Sequence, residues 1–412
     1  MENTFDILKE RGFVADCTDE AALRKAFGEK QITAYVGYDP TGESLHVGNL
    51  LSLIMLRHLI MGGHRAIGVI GGGTALIGDP SGKDEIRKMQ TRGIIRANFE
   101  KIKSQVVNFL TIPGCEPPII VDNADWLEKL EYIPFLRDIG KHFSVNRMLA
   151  AESYKIRLEK GLSFLEFNYQ ILQAYDFLQL FKRHGCTLQM GGSDQWGNIV
   201  AGVDLIRRIE SAEAHALTCP LLTTAGGGKM GKTEKGAVWL DGSMLSPYEF
   251  YQFWRNTDDR DVARMLKYYT FVPMDEIAVA EKAQGSELNK WKDRLAREVT
   301  TLVHGESEAS KSAESAKALF GGTGAEMEGV PTVEVTADEI AAGYWIATAA
   351  LKAGLVSSKG EAGRLAKQGG LYLNDEQVST PDYIIKQEHF KDGVATLRAG
   401  KKKYARIILK KT

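Results

Sequence analysis

The sequence predicts an α/β chain: a doubly wound parallel sheet with a helical insertion, followed by an α-helical domain and a small α+β domain. Three observations carry this. Residues 32–38 and 65–70 are short apolar runs with the length and unbroken hydrophobicity of strands buried on both faces. The first passes through a polar, glycine-containing turn into an apolar helix from Leu50 to about Met61, so strand, helix and strand fall at the spacing of a βαβ unit. Glycine-rich turns follow the strands, at the carboxyl ends where such sheets bind ligands. At 412 residues the chain has room for two or three domains and at least one large core.

A net charge of −1 at pH 7 says nothing of a polyanionic partner, but its distribution does. From Leu351 onward there are 13 Lys and Arg against 6 Asp and Glu, and Lys401 to Thr412 holds six basic residues and no acidic one. Cys17, Cys115, Cys186 and Cys219 are far apart and lack zinc-site spacing, so free thiols in a reduced, cytoplasmic chain are expected, with no resident metal. The first thirty residues mix charges without an apolar run, and no stretch reaches about 18 apolar residues, so neither secretion nor membrane insertion is expected.

In order, residues 1–30 read as charged helix leading into the first strand at 32–38. A helix that starts on a small polar turn aims its unpaired N–H groups and its positive dipole end at whatever lies above, which favours a phosphate. His46 sits at that end with Gly48 beside it; a structural His and a ligand-facing one fit the residues equally. The loop from Gly71 to Lys83 fails both as a P-loop, since Ile77 stands where glycine is needed, and as a dinucleotide fingerprint, since Leu76 does. It still brings Asp79, Lys83 and Arg87 within reach of one ligand, or is a solvated loop.

Residues 92–160 read as broken helices with one strand at 119–122, an insertion between the halves of the sheet. On the helix from 162 to 182, Tyr169, Gln173 and Asp176 form one polar stripe in an apolar field. Unpaired polar groups in a core cost about 1–3 kcal/mol each, so the stripe faces either a ligand or solvent. A strand at 187–190 runs into a Gly-Gly-Ser-Asp-Gln turn, placing Asp194 where an acid can hold ribose hydroxyls. Lys229 and Lys232, three apart in a glycine-rich segment, are either clamps on transition-state phosphates or a flexible basic loop. Helices come next, over 247–320. The composition of 305–333 suggests a linker, within which 312–320 could still be helical, and residues 357–374 read as a basic helix, a Gly-Gly turn and a strand able to follow a phosphate backbone. The domains expected are 1–225 (insertion at about 92–160), 226–325, a linker at 326–345, and 346–412.

Taken together, these residues resemble the bacterial tyrosyl-tRNA synthetases, class I enzymes, over essentially the whole chain. His46-Val47-Gly48-Asn49 matches the HIGH motif, Lys229-Met230-Gly231-Lys232-Thr233 matches KMSKS, and the last domain resembles an RNA-binding module of a ribosomal small-subunit protein. The resemblance implies a Rossmann-like, nucleotide-binding catalytic domain and roles at the matching positions. Tyr35 and Asp176 would meet the phenolic hydroxyl of L-tyrosine. Asp79, Tyr169 and Gln173 would hold its ammonium group, with Gln195 near its carboxylate. Gly192 and Asp194 would take the ribose of ATP, Asp39 would lie beside the substrates, and Gly48 and Asn49 would flank the nucleotide. Thr41 and His46 would bind the γ-phosphate in the transition state, assisted by Lys83, Arg87, Lys229 and Lys232.

It also implies Mg²⁺-bound ATP as substrate, tRNA(Tyr) as partner and a homodimer. The tyrosine carboxylate would attack the α-phosphate to give tyrosyl-adenylate and pyrophosphate, a step that needs alignment and positive charge rather than a covalent intermediate. A ribose hydroxyl of the terminal adenosine of tRNA would then attack the adenylate; no residue stands out as its base. A site built around a hydroxyl rejects phenylalanine without editing, a rejection for which tyrosyl-tRNA synthetases are themselves the standing example. The chain departs from the family at Asn49, where HIGH ends in His, and at Gly231, where KMSKS has Ser. A tryptophan-charging relative and a synthetase-derived RNA-binding protein without catalysis are the alternatives.

Overall fold

Buried apolar runs make the central sheet. Its strands are β1 (Asp16–Cys17), β2 (Thr33–Tyr38), β3 (Arg65–Ile70), β4 (Ile119–Asp122), β5 (Leu188–Gly192) and β6 (His215–Cys219), in the order β1-β6-β5-β2-β3-β4. All neighbours pair parallel except β1 with β6. The computed structural model describes residues 2–79, 90–225, 227, 230–233, 236–321, 331–400 and 403–410. They fall into two compact units, Met1–Leu245 with Trp254–Val303, and Ser246–Phe253 with His304–Thr412.

Strand order reverses between β2 and β5, the switch point where a doubly wound sheet opens a crevice. Helix α1 (Val47–Met61) connects β2 to β3 and is apolar nearly all round, with Leu50, Ile54, Met55 and Leu56 wholly buried. It begins three residues before the expected start because His46 and Asn49 cap it. Helix α2 (Arg92–Leu110) leads from β3 to β4, and β4 pairs parallel with β3 as an edge strand. This corrects the reading of 92–160 as an insertion: its first part belongs to the sheet, and only the residues beyond Asp122 stand outside it. Helix α3 (Phe164–His184) starts on a capping box, the Ser163 hydroxyl accepting from the Glu166 amide and the Glu166 carboxylate from that of Ser163, and stops at Gly185, whose φ is 61°. Helix α4 (Trp196–Glu210) packs on it at Gly202, where a Cβ would lie 2.9 Å from the Phe177 ring. Helix α5 (Val262–Tyr269) belongs to the same unit.

The first strand of the chain is β1, inside the segment read as wholly helical. Two residues carry no periodicity; the register of β1 comes from its partner, Asp16 facing Thr218 and Cys17 facing Leu217. Residues Glu306–Gly321 form a helix, in line with the helical reading of 247–320 and against the linker reading of 305–333, and Thr332–Val335 form a strand inside the linker expected at 326–345. The second unit holds a five-stranded sheet of β7 (Thr332–Val335), β8 (Leu371–Leu373), β9 (Glu376–Val378), β10 (Val394–Ala399) and β11 (Lys403–Leu409), in the order β9-β8-β10-β11-β7. Because β7 pairs parallel with β11, this fold begins before residue 346. Helix α6 (Lys359–Lys367) and β8 fall where the basic helix and strand were expected. Asn374 and Asp375, at φ 50° and 66°, make the tight turn from β8 to β9.

Candidate active site

The carboxyl ends of β2, β3 and β5 open on a cleft of about 620 Å³. Tyr35 and Asp39 reach it from β2 and its end, Tyr169, Gln173 and Asp176 from α3, and Gly192, Asp194 and Gln195 from the turn between β5 and α4. Thr41, His46, Gly48 and Asn49 line it from the turn into α1, and Asp79 from the loop after β3. The polar stripe of α3 therefore lines the cleft. Lys83, Arg87 and Lys229 lie outside the described residues; of Lys232 only the backbone is described, paired with Ala237 in a two-residue strand. Among the described residues the lining carries four carboxylates, Asp39, Asp79, Asp176 and Asp194, and neither Lys nor Arg. That field attracts an ammonium group and needs added cations before it will hold a triphosphate.

At the inner end, the Tyr35 ring is buried and tilted against Phe177 at 5.3 Å, and its hydroxyl has no hydrogen-bond partner among the described residues. Burial, with the Asp176 carboxylate adding to it, pushes its phenol well above the ordinary range. Asp176 accepts from Trp126 Nε1 at 2.7 Å and from Asn123 Nδ2 at 2.9 Å. Burial raises its carboxyl to about 7, against these two bonds, with Asp39 and Asp122 adding to the rise. Sequence reasoning missed Asn123 and Trp126. The signal was their position just past the end of β4, visible only once β4 is counted in the sheet.

A continuous polar network runs outward from there. Asn123 Nδ2 also donates to the Thr74 hydroxyl at 2.9 Å, which donates to Asp39 Oδ1 at 2.7 Å, and the Tyr169 hydroxyl donates to Asp39 Oδ2 at 2.9 Å. The Tyr169 phenol is held well above its usual range by burial, then by Asp39 and Asp79, and keeps its lone pairs for a cationic donor. Gly71 makes room for this network, since a Cβ there would lie 2.1 Å from Asp39 Oδ1. Nearby, Gln195 Nε2 donates to Asp79 Oδ2 at 2.8 Å, Gln173 Nε2 to Gln195 Oε1 at 3.3 Å, and Asn198 Nδ2 to Gln173 Oε1 at 3.0 Å.

At the outer end, His46 is the N-cap of α1. Its Nδ1 accepts from the Gly48 amide at 3.0 Å, while Asn49 Oδ1 accepts from the His46 amide at 3.1 Å. Nδ1 acting as acceptor places the proton of the neutral ring on Nε2. Asn49 thus serves as the return member of a capping box, a task its carboxamide performs without charge. The backbone beyond the lysine segment is paired to this turn: Val47 donates to the Val238 carbonyl at 2.9 Å, Leu240 to that of Leu45 at 2.9 Å, and the Trp239 ring sits 6.2 Å from His46. Gly231 adopts φ 82°, a left-handed conformation, with its ideal Cβ 3.2 Å from the Gly48 nitrogen, so the glycine that replaces Ser fits where a side chain would be strained and crowded.

A doubly wound sheet whose switch point carries this acidic cleft beside a HIGH-like helix start is the catalytic unit of a class I aminoacyl-tRNA synthetase: residues 28–321 match the family described as tRNA synthetases class I (W and Y). Residues 324–407 match the Tyrosine--tRNA ligase SYY-like C-terminal domain. The chain is 50% identical over 407 residues to the tyrosine--tRNA ligase of Clostridium tetani, covering 99% of each, and 51% identical over 408 residues to that of Caldanaerobacter subterraneus subsp. tengcongensis, covering 99% of this chain and 100% of the relative. A C-terminally truncated mitochondrial tyrosyl-tRNA synthetase of Aspergillus nidulans superposes with a TM-score of 0.71 at 31% identity, over 78% of this chain and 95% of that one. The chain belongs to the tyrosine--tRNA ligases. It is a ligase that uses ATP as substrate, and the tryptophan-charging and non-catalytic alternatives are not favoured.

Proposed function

We propose that the cleft divides the activation of tyrosine between its two ends, with Tyr35 and Asp176 reading the phenol and the α1 start holding the triphosphate. The orphaned Tyr35 hydroxyl beside Asp176 carries this reading: a phenol placed there would donate to the carboxylate and accept from Tyr35. The substrate ammonium would lie among Asp79, Tyr169 and Gln173, and its carboxylate near the second N–H of Gln195 Nε2. ATP would enter with Mg²⁺ on its phosphates; among the described residues no group of three or more His, Cys, Asp or Glu could hold a metal ion of its own. Asp194 would take the ribose, with Gly192 keeping space for it, since a Cβ there would lie 2.6 Å from Asp194 Oδ1. Asp39 would stand beside both substrates, and Gly48 and Asn49 would flank the nucleotide. Thr41, His46, Lys83, Arg87, Lys229 and Lys232 would stabilise charge developing on the leaving pyrophosphate.

If Tyr35 waits for the substrate hydroxyl, Tyr35→Phe relieves an orphaned group. The unliganded variant should be more stable by about 1 kcal/mol and bind tyrosine about tenfold more weakly. Thermal melts with and without tyrosine measure both, and equal affinity would remove Tyr35 from the phenol site.

Binding of tRNA(Tyr) is assigned to the second unit, whose excess of basic residues from Leu351 onward supports contact with a phosphate backbone. Reversing Lys359, Arg364 and Lys367 of α6 to Glu should leave tyrosine-dependent pyrophosphate exchange unchanged and raise the KM for tRNA about tenfold or more. Equal loss of both activities would refute the assignment. A homodimer is supported by exposed apolar side chains at Tyr132, Ile133, Leu136, Phe164 and Leu165, which sedimentation equilibrium tests directly: a monomer at micromolar concentration overturns it. A reduced compartment such as the cytoplasm fits four free cysteines, and no described helix is long and apolar enough to cross a membrane.

A further inference from the structure

We infer that Asp261 and Arg264 are positioning residues for the lysine-bearing segment, acting on tyrosine activation from outside the cleft. Asp261, 5% exposed, ends the short helical turn before α5. Its Oδ2 accepts from the Ala225 amide at 2.7 Å and its Oδ1 pairs with Arg264; Arg264 Nη2 also donates to the Thr223 carbonyl at 2.7 Å. The two side chains therefore grip both ends of Thr223-Thr224-Ala225, four residues before Lys229. The Met230 amide also donates to the carbonyl of Leu222, the residue before Thr223, at 2.9 Å.

On its far side the same segment is tied to the His46 turn. Val238 donates to the Gly231 carbonyl at 2.8 Å, and Val47 donates to that of Val238. Helix α5 joins the two attachments: Asp261 and Arg264 hold the segment at its start, and at its end the Tyr269 hydroxyl donates to the Val47 carbonyl at 3.2 Å. One rigid turn-and-helix thus sets the distance between the phosphate-facing start of α1 and the stem that carries the lysines. A buried carboxylate paired to a cation contributes little net stability compared with apolar residues of the same volume. What this pair adds is a fixed direction for the two backbone groups it holds, and a misplacement of about 1 Å in such a support costs on the order of 100-fold in rate.

The inference rests on the reading that Lys229 and Lys232 act on the phosphates, and a double-mutant cycle in the full-length enzyme separates the two. Tyrosyl-adenylate formation is followed by rapid kinetics in Asp261→Asn, Lys229→Ala and the double variant, with tyrosine affinity measured at equilibrium. The expected result is a tenfold to hundredfold lower rate at saturating ATP for Asp261→Asn, tyrosine affinity within about twofold of the parent, and a loss in the double variant well below the product of the single losses. Full multiplication of the two losses, or a fall in tyrosine affinity matching the fall in rate, overturns the positioning role while leaving the lysine reading in place. An unchanged rate in Lys229→Ala and Lys232→Ala removes the lysine reading and this inference with it. Arg264→Gln, at a side chain that is partly exposed, gives the same test should Asp261→Asn fail to fold.

Discussion

An Asp176→Ala enzyme should lose about 10²–10³-fold in kcat/KM for tyrosine, with the value for phenylalanine nearly unchanged, so that the preference between them shrinks by the same factor. Truncating one partner of a buried, charge-assisted hydrogen bond costs about 2–5 kcal/mol, and each 1.36 kcal/mol is about tenfold in rate. Phenylalanine has no hydroxyl to lose. The substitution also removes the acceptor of Asn123 Nδ2 and Trp126 Nε1, so stability should fall by about 2 kcal/mol as well, and both substrates must be compared well below the melting temperature. An unchanged ratio would take Asp176 out of the specificity argument.

The same carboxyl sets a pH dependence. With its folded value raised from 3.8 to about 7, Asp176 keeps a proton in the folded chain that the unfolded chain has released. Its contribution to stability is therefore full below the ordinary carboxylate value and is lost as pH rises through about 7. Tyrosine binding in the proposed pose runs the other way, because the substrate hydroxyl would donate to the charged form. Affinity for tyrosine should rise towards pH 7, and binding near pH 6 should release a proton, which calorimetry in two buffers of different ionisation enthalpy measures. No proton release would mean that the carboxyl is already ionised before tyrosine arrives.

His46→Ala should slow adenylate formation by about 10²–10³-fold, the usual loss when one preorganised donor to a developing charge is removed, and should cost about 1 kcal/mol of stability through the lost cap. His46→Asn separates the two. Asparagine can accept from the start of α1 in place of Nδ1, but its short carboxamide does not carry the Nε2 proton outward. Thermal stability should return and the rate should not. If the rate returns too, the helix end itself, rather than the imidazole, stabilises the phosphates.

The part of the site that could be read from sequence is the part built on one continuous segment. Strand β2, the turn and α1 announce themselves because apolar periodicity changes over a few residues, and His46 follows from its place at the helix start, whereas Tyr35 and Asp39 come from the family resemblance. The stripe of α3 was legible for the same reason: polar residues at helical spacing in an apolar field need partners. Asn123 and Trp126 were not, since their importance comes from β4 joining the sheet beside β3, and a four-residue apolar run does not say which sheet it joins. Strand β1 exists only through the register of β6, and β7 only through its parallel pairing with β11. Pairings of that kind are tertiary facts, carried by neither propensity nor pattern.

The chain of hydrogen bonds from Asp176 through Asn123 and Thr74 to Asp39 and Tyr169 bears on any effort to change the amino acid this enzyme accepts. Altering Asp176 alone takes away the carboxylate that Asn123 Nδ2 and Trp126 Nε1 share, and Asn123 also donates to Thr74, which donates to Asp39. Asp39 lines the same cleft, where the adenylate is proposed to form. Redesign of the pocket floor therefore has to supply new acceptors for Asn123 and Trp126 at the same time, or leave buried donors unpaired beside the altered side chain.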